Sequence, residues 1–420
     1  MLDTPSSGSG TLVVGASQAG LQLAVTLREL GDRAPITMVG AEPLPPYARP
    51  PLSKEYLAGA PGSDALAFRT PAFYADAGID LVCGERVTGL AMSGAGAGTA
   101  TTSTGRELVF DRLALTVGAR PRRLTVPGAD LDGVCCLRDV DDAQRLRSLL
   151  TAGSSVVVVG GGFIGLEAAA VARDRGLAVT VVEAADRLIP RAVAPVVSEF
   201  YRRAHERRGT TVLLSATVAG LRGDGRRVTG VLLADGRELP ADVVVVGIGV
   251  VPRTELAEQL GLSCDGGIVV DAVARTSDPA VVAAGDCTVL PHPMTGQGRV
   301  RLESVQNAVA QGTVAAATLL GRPAQVRTVP WFWSNQGDLR LQIAGLSYGY
   351  DRTVVRGEPD RERFSVLYYA GEELIAVDAV NSTVDYLAVR KALTAGVNLP
   401  ADRTADAQVP LKAVLAEASA

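Results

Sequence analysis

Two stretches of this chain, about 145 residues apart, run in the same order: β-branched strand, glycine-spaced turn, helix, second β-branched strand. In the first, Thr11-Leu12-Val13-Val14 leads through Gly15-Ala16-Ser17-Gln18-Ala19-Gly20 into a helix carrying Ala24, Leu27 and Leu30, then to Ile36-Thr37-Met38-Val39. In the second, Val156-Val157-Val158-Val159 leads through Gly160-Gly161-Gly162-Phe163-Ile164-Gly165 into a helix carrying Leu166, Ala170 and Ala172, then to Val179-Thr180-Val181-Val182. Continuous apolar strands alternating with helices imply parallel sheets covered on both faces. Two such units this far apart imply two doubly wound domains in an α/β protein, not one large sheet.

The second turn is a full G-x-G-x-x-G. Gly160 permits the tight turn, Gly162 lets a pyrophosphate approach the backbone, and Gly165 lets helix and strand pack closely. The helix N-terminus then offers unpaired N–H groups to the phosphates. Glu183 closes the next strand, where a carboxylate accepts both ribose hydroxyls of NAD and repels the 2′-phosphate of NADP. The first turn keeps Gly15 and Gly20 but carries Ser17 in the middle, a small residue with a hydroxyl. The acid after its second strand is Glu42, in Gly40-Ala41-Glu42, one residue later than the usual site. Two nucleotide folds call for two dinucleotides, and FAD in the first with NADH in the second is the economical assignment.

The rest of the chain sets bounds. A formal charge of −4 gives no global reason to expect nucleic acid. Arg202, Arg203, Arg207 and Arg208 form one local basic cluster, read as a solvated helix face. Five scattered cysteines without C-x-x-C imply reduced thiols in a cytoplasmic protein, and two histidines are too few for a His-based metal site. Residues 1–10 read as a loose tail without signal-peptide character, and no apolar run approaches the ~20 residues of a membrane span. Ser93 to Gly98 reads as a hairpin loop, and Thr211 to Val246 as short strands turned at Gly223-Asp224-Gly225 and Asp235-Gly236. Beyond residue 330 aromatics concentrate, from Trp331-Phe332-Trp333 to Tyr386. A strand pair turned at Gly371 and helices at 384–395 and 411–418 predict a third, α+β domain.

Several motifs occur in a fixed order: Pro45-Pro46-Tyr47-Ala48-Arg49-Pro50-Pro51-Leu52-Ser53-Lys54, the Gly160–Glu167 run, Gly285-Asp286-Cys287, Glu303-Ser304-Val305-Gln306-Asn307-Ala308 and Trp331-Phe332-Trp333-Ser334-Asn335-Gln336. In these the chain, from about residue 11 to 415, resembles the FAD-dependent, NADH-specific ferredoxin reductases that serve bacterial haem monooxygenases and ring-hydroxylating dioxygenases. The resemblance implies a glutathione-reductase-like architecture. Its parts would be an FAD-binding domain of residues 11–117 and 254–330, an NADH-binding domain of 118–253, and a C-terminal interface domain of 331–420. It implies FAD contacts at Ala19, Glu42, Arg49, Lys54, Val87, Gly118, Arg138, Asp286 and Val305, and NAD contacts at Ile164 and Gly249 beside Gly160, Gly162, Gly165 and Glu183. The family's Ala-Thr-Gly is here Thr116-Val117-Gly118, where Gly118 keeps the turn but Val117 loses the hydroxyl.

Lys54 is one of three lysines in a chain whose basic residues are otherwise arginine. By resemblance to the wider flavin reductase class, it would pair with Glu167 near flavin N5. Hydride transfer needs no acid, base or nucleophile, only a dry stack at about 3–3.5 Å. Disulfide reductases of this architecture carry cysteine just ahead of the lysine helix, and Leu44 to Lys54 contains none. Electrons would therefore leave outward, and the resemblance points to a 2Fe–2S ferredoxin, with Trp333 and Trp331 near the flavin face. Arg299, Arg301 and Arg340 are candidates for a basic docking rim. Two alternatives remain open: an NADH oxidase or quinone or dye reductase, and a redox-sensing interaction protein similar to apoptosis-inducing factor.

Overall fold

In the computed structural model, residues 9–60, 62–94, 96–322 and 328–419 are described, so the predicted N-terminal tail lies almost wholly outside the described residues. The chain divides into two compact units. One comprises Met1–Ala48, Ser63–Arg120 and Val251–Thr328, the other Arg49–Gly62, Pro121–Val250 and Val329–Ala420.

The first unit is built on five parallel strands in the order Val281–Ala283, Arg112–Leu115, Thr11–Val14, Ile36–Gly40, Ile79–Cys83. Successive side chains point to opposite faces. Leu12 and Val14 therefore join one core with Val39, Leu113 and Phe110, while Val13 joins another with Met38, Leu23, Leu27 and Val314. Burial on both faces is why these strands read as unbroken apolar runs. Each such Leu or Val contributes about 1.5–3 kcal/mol by leaving water. The helices Gln18–Glu29 and Val305–Leu319 touch backbone to backbone, because a Cβ on Gly312 would stand 2.7 Å from the carbonyl of Ala19. A small antiparallel sheet, Val87–Gly94, Ala97–Thr102 and Glu107–Phe110, contains the expected hairpin, with Ala95 outside the described residues.

The second unit holds another five-stranded parallel sheet, ordered Thr211–Leu213, Ala178–Val182, Ser155–Val159, Val243–Val246, Val134–Cys135. The predicted short strands follow as Val218–Asp224, Arg227–Leu233 and Glu238–Pro240, with Gly225 and Gly236 at positive φ in their turns. The C-terminal part is an antiparallel sheet ordered Trp331–Gln336, Leu339–Gly345, Glu373–Val380, Arg363–Ala370, Arg352–Glu358. Gly371 turns the predicted strand pair, and the predicted helices are Thr383–Ala395 and Leu411–Ala418. A short helix, Ala401–Ala405, was not expected from the sequence. The α/β class with two doubly wound sheets and a C-terminal α+β part is as the sequence implies.

Alternation along Trp331–Gln336 decides what this sheet shows to each side. Phe332, Ser334 and Gln336 face the helices Phe163–Asp174 and Pro195–Arg207, with the Phe163 and Phe332 rings 4.7 Å apart and Phe200 and Phe364 4.9 Å apart. Trp331 and Trp333 take the opposite face. There Leu367 and Val377 pack with Val389 and Ala392 of the helix Thr383–Ala395. Among the described residues, no helix is long and apolar enough to cross a membrane.

Candidate active site

In the second unit, Gly160 turns at φ +107° and its N–H donates to the carbonyl of Val182 at 2.8 Å. A Cβ there would lie 2.5 Å from the carbonyl oxygen of Gly247, and one on Gly165 would lie 2.3 Å from that of Gly160. Both positions exclude a side chain on the protein's own account. Gly162 is different: its backbone is extended, and a Cβ would meet only Gly247 O at 3.8 Å. Among the described residues nothing fills that space, which leaves room for a ligand to come close. The helix Phe163–Asp174 has no side-chain cap and no acid in its first turn, which leaves its N–H groups and positive end to a phosphate. Glu183 is locked by backbone donors, Gly161 N–H to Oε2 at 2.6 Å and Ala185 N–H to Oε1 at 2.7 Å, with lone pairs left for hydroxyls. Ile164 is 39 % exposed at the helix start, and Gly249 turns at φ +103°.

In the first unit, Gly15 turns at φ +119° and donates to Val39 O at 2.8 Å. A Cβ on it would stand 2.2 Å from Thr116 O, and one on Gly20 2.1 Å from Gly15 O. Ser17 is the N-cap in extended backbone, makes no capping bond, and begins another helix without an acid in its first turn. Thr116 Oγ1 donates to the carbonyls of Gly15 at 2.8 Å and Val14 at 3.1 Å. The hydroxyl that the family pattern puts one residue later is thus supplied by Thr116, which sequence reasoning missed. The register equates Gly40 with Glu183, since Gly15 and Gly160 bond to Val39 and Val182 respectively. Glu42 is therefore offset by two residues, not one. The cause is steric: a Cβ on residue 40 would be 2.7 Å from Ala16 Cβ, whereas Gly161 leaves that space to Glu183. Glu42 accepts from the Tyr47 hydroxyl. Ala19 packs under Gly285, Val87 belongs to the same core as Phe110, Gly118 turns at φ +64°, Asp286 is half-buried after Gly285, and Val305 opens its helix behind the Ser304 cap.

Arg49, Lys54 and Arg138 belong to the second unit. Arg49 Nη1 donates to Arg138 O at 2.8 Å. Lys54 Nζ reaches Glu167 Oε2 at 2.6 Å, so the expected pair forms, with the carboxylate only 3 % exposed. Ser53 Oγ donates to the same oxygen at 2.5 Å, and Ser334 Oγ to Oε1 at 2.7 Å. An ion pair removed from water needs such satisfaction of its remaining lone pairs. Neither serine was singled out from the sequence. Strand alternation beside Trp333 was the signal available for Ser334. Of the three ammonium protons, one meets Glu167 and one Pro50 O at 3.1 Å, while Ser53 Oγ holds the third loosely at 3.4 Å. Trp333 and Trp331 are half-buried and stacked at 5.4 Å, with Arg390 4.8 Å over Trp331.

All five cysteines are free, and burial pushes every thiol up, Cys135 to about 11 and Cys287 to about 12. None is a ready thiolate. The basic cluster is neutralised: Arg202 and Arg203 meet Glu199 and Glu206 within 2.7 Å, and Arg207 and Arg208 meet Glu362 within 2.8 Å. Arg301 pairs with Glu303 at 2.8 Å and Arg299 lies 3.8 Å from Asp265.

Two uncapped glycine loops with a buried Lys–Glu pair define a dinucleotide-dependent redox class. The chain belongs to the pyridine nucleotide-disulphide oxidoreductase family, whose model matches residues 10–312, and a reductase C-terminal model matches residues 331–415. It is 44 % identical to rhodocoxin reductase of Rhodococcus erythropolis over 96 % of this chain and 94 % of that one. It is 41 % identical to the 5,5'-dehydrodivanillate O-demethylase ferredoxin reductase subunit of a Sphingobium species, over 96 % and 98 %. Among solved structures, the reductase in a covalent putidaredoxin reductase–putidaredoxin complex matches with a TM-score of 0.93 at 38 % identity, covering 98 % of this chain and 99 % of that one.

Proposed function

We propose that this chain is an FAD-dependent NADH:ferredoxin oxidoreductase of the cytoplasm, serving a 2Fe–2S ferredoxin that feeds a haem monooxygenase or ring-hydroxylating dioxygenase. The observation that carries it is the buried Lys54–Glu167 pair in a stretch with no cysteine ahead of it. Bound FAD would supply the conversion of a two-electron hydride into single electrons.

The residues fit both nucleotides. Gly15, Ser17, Ala19 and Gly20 present an uncapped helix end to the FAD pyrophosphate, and Glu42, Arg49, Val87, Gly118, Arg138, Asp286 and Val305 are the further residues assigned to FAD. Gly160, Gly162, Ile164, Gly165 and Gly249 do the same for NADH, and Glu183, fixed by two N–H groups, takes the ribose hydroxyls and turns away a 2′-phosphate. Glu167, Pro50 O and Ser53 Oγ fix the position of the Lys54 ammonium, the group assigned to the flavin in this reading. Trp333, half-buried on the sheet face that also carries the helix Thr383–Ala395, is assigned to the route by which electrons leave. In this reading residues 11–117 and 254–330 bind FAD, 118–253 bind NADH, and 331–420 serve the ferredoxin interface.

The test is NADH-driven reduction of cytochrome c with and without an added 2Fe–2S ferredoxin. A rate that rises and saturates with ferredoxin supports the reading. A rate indifferent to ferredoxin replaces it with that of an oxidase or dye reductase.

A further inference from the structure

Behind the Lys54–Glu167 pair, three buried polar side chains stand in unbroken series. Ser334 and Gln336 lie on the inner face of the strand Trp331–Gln336, 0 % and 1 % exposed, and His205 on the helix Pro195–Arg207 is 3 % exposed. The hydroxyl of Ser334 has one proton, and it goes to Glu167 Oε1 at 2.7 Å. Its oxygen then accepts from Gln336 Nε2 at 3.3 Å. With its amide nitrogen so used, Gln336 turns Oε1 to His205 Nε2, 2.8 Å away. A carbonyl oxygen only accepts, so Nε2 carries the hydrogen. Every donor in the series points toward the carboxylate oxygen that Lys54 does not touch.

The direction of this series depends on its far end. Without a donor at residue 205, the Gln336 amide is free to turn over and present Oε1 to Ser334. The Ser334 hydroxyl would then donate to Gln336 and abandon Glu167. We propose that His205, acting through Gln336 and Ser334, is a positioning residue that fixes how Glu167 meets Lys54. This rests on the role proposed above for that pair. His205 lines a cavity of about 190 Å³, where Arg173 and Asp174 face it from the helix Phe163–Asp174, Arg208 from the C-cap of the helix Pro195–Arg207, and Thr210 from the turn that follows. Arg208 is committed to Asp338 and Glu362, and Arg173 to the carbonyls of Leu177 and Arg208. Burial and the Arg208 charge hold the imidazole below its usual pKa, against the pull of Gln336, which keeps it the neutral donor the series requires.

The chain has two histidines, His205 and His292, so a histidine-labelled ¹⁵N spectrum of the holoenzyme contains two imidazoles, and H292N assigns them. His205 is expected as the Nε2–H tautomer, and S334A and E167Q are each expected to move its ring resonances, because coupling between sites is reciprocal. In anaerobic mixing with NADH, S334A is expected to slow flavin bleaching about tenfold and H205L about threefold, at little change in the NADH concentration for half-maximal rate, the scale of one lost hydrogen bond to a charged group. H205Q, whose amide offers a donor in the same direction, is expected to recover to within about twofold of the parent. A packing role alone would make H205L and H205Q equally slow. An Nδ1–H tautomer, or H205L bleaching at the parent rate, overturns the proposal. If Lys54→Met slows bleaching but S334A and H205L do not, only this inference fails. If Lys54→Met bleaches normally, the reading of the pair fails and takes the inference with it.

Discussion

At Gly15 and at Gly160 the backbone turns through φ of +119° and +107°, and a Cβ at either would strike a carbonyl oxygen at 2.2 or 2.5 Å. One residue on, the loops part. Ala16 fills with its methyl the space beside residue 40, and residue 40 is glycine. Gly161 leaves the matching space empty, and Glu183 occupies it, bonding to the Gly161 N–H. The side chain has moved from one partner to the other. Because of that exchange the acid of the first loop cannot stand at the strand end and is found two residues on, at Glu42. The middle position teaches the converse. At Gly162 a Cβ would meet nothing nearer than 3.8 Å among the described residues, and Ser17 sits in extended backbone without a capping bond. The glycines at the first and last positions are required by the fold, while Gly162 at the middle position of the second loop is not forced by contacts among the described residues.

The largest effects should come where the loops agree. Gly20→Ala and Gly165→Ala each drive a Cβ to within 2.3 Å of a carbonyl. Each should cost at least about 2 kcal/mol of stability by overpacking, read as a fall in melting temperature. Equal tolerance of either would break the claim that these glycines serve the fold. Next comes Glu183→Ala, which should cut the preference for NADH over NADPH in kcat/KM by about 10–100-fold. Gly161→Ala should follow: its methyl would sit 2.4 Å from Leu188 Cδ2 and 3.2 Å from Glu183 Oε2. It should raise KM for NADH by about tenfold, the scale of one misplaced charged hydrogen bond, with flavin content unchanged. The smallest should be Ser17→Gly, which should alter FAD affinity by less than about twofold, since glycine at a cap costs only tenths of a kcal/mol.

Much of this was legible because period and spacing carry it. The valine runs announced parallel strands, Glu183 announced itself by its place after the second, and Lys54 stood out among arginines. What was not legible depends on contacts between distant segments. Ser53, Glu167 and Ser334 come from three separate stretches, and only folding shows that both serines close on one carboxylate. The offset of Glu42 was visible but misjudged by a residue, because the steric contest between Ala16 and residue 40 has no sequence signature. The arginine cluster was read as a solvated helix face, and only the fold shows that Arg207 and Arg208 pair with Glu362, and Arg208 with Asp338.

The central claim is that the two loops hold different dinucleotides, FAD at Gly15–Gly20 and NADH at Gly160–Gly165. The most direct measurement is flavin content and anaerobic NADH titration on the same samples of the parent and Glu183→Ala. The account predicts equal flavin in both, bleached by NADH in the parent and only at roughly tenfold higher NADH in the variant. Loss of flavin from Glu183→Ala, or bleaching of both at the same NADH concentration, would contradict it.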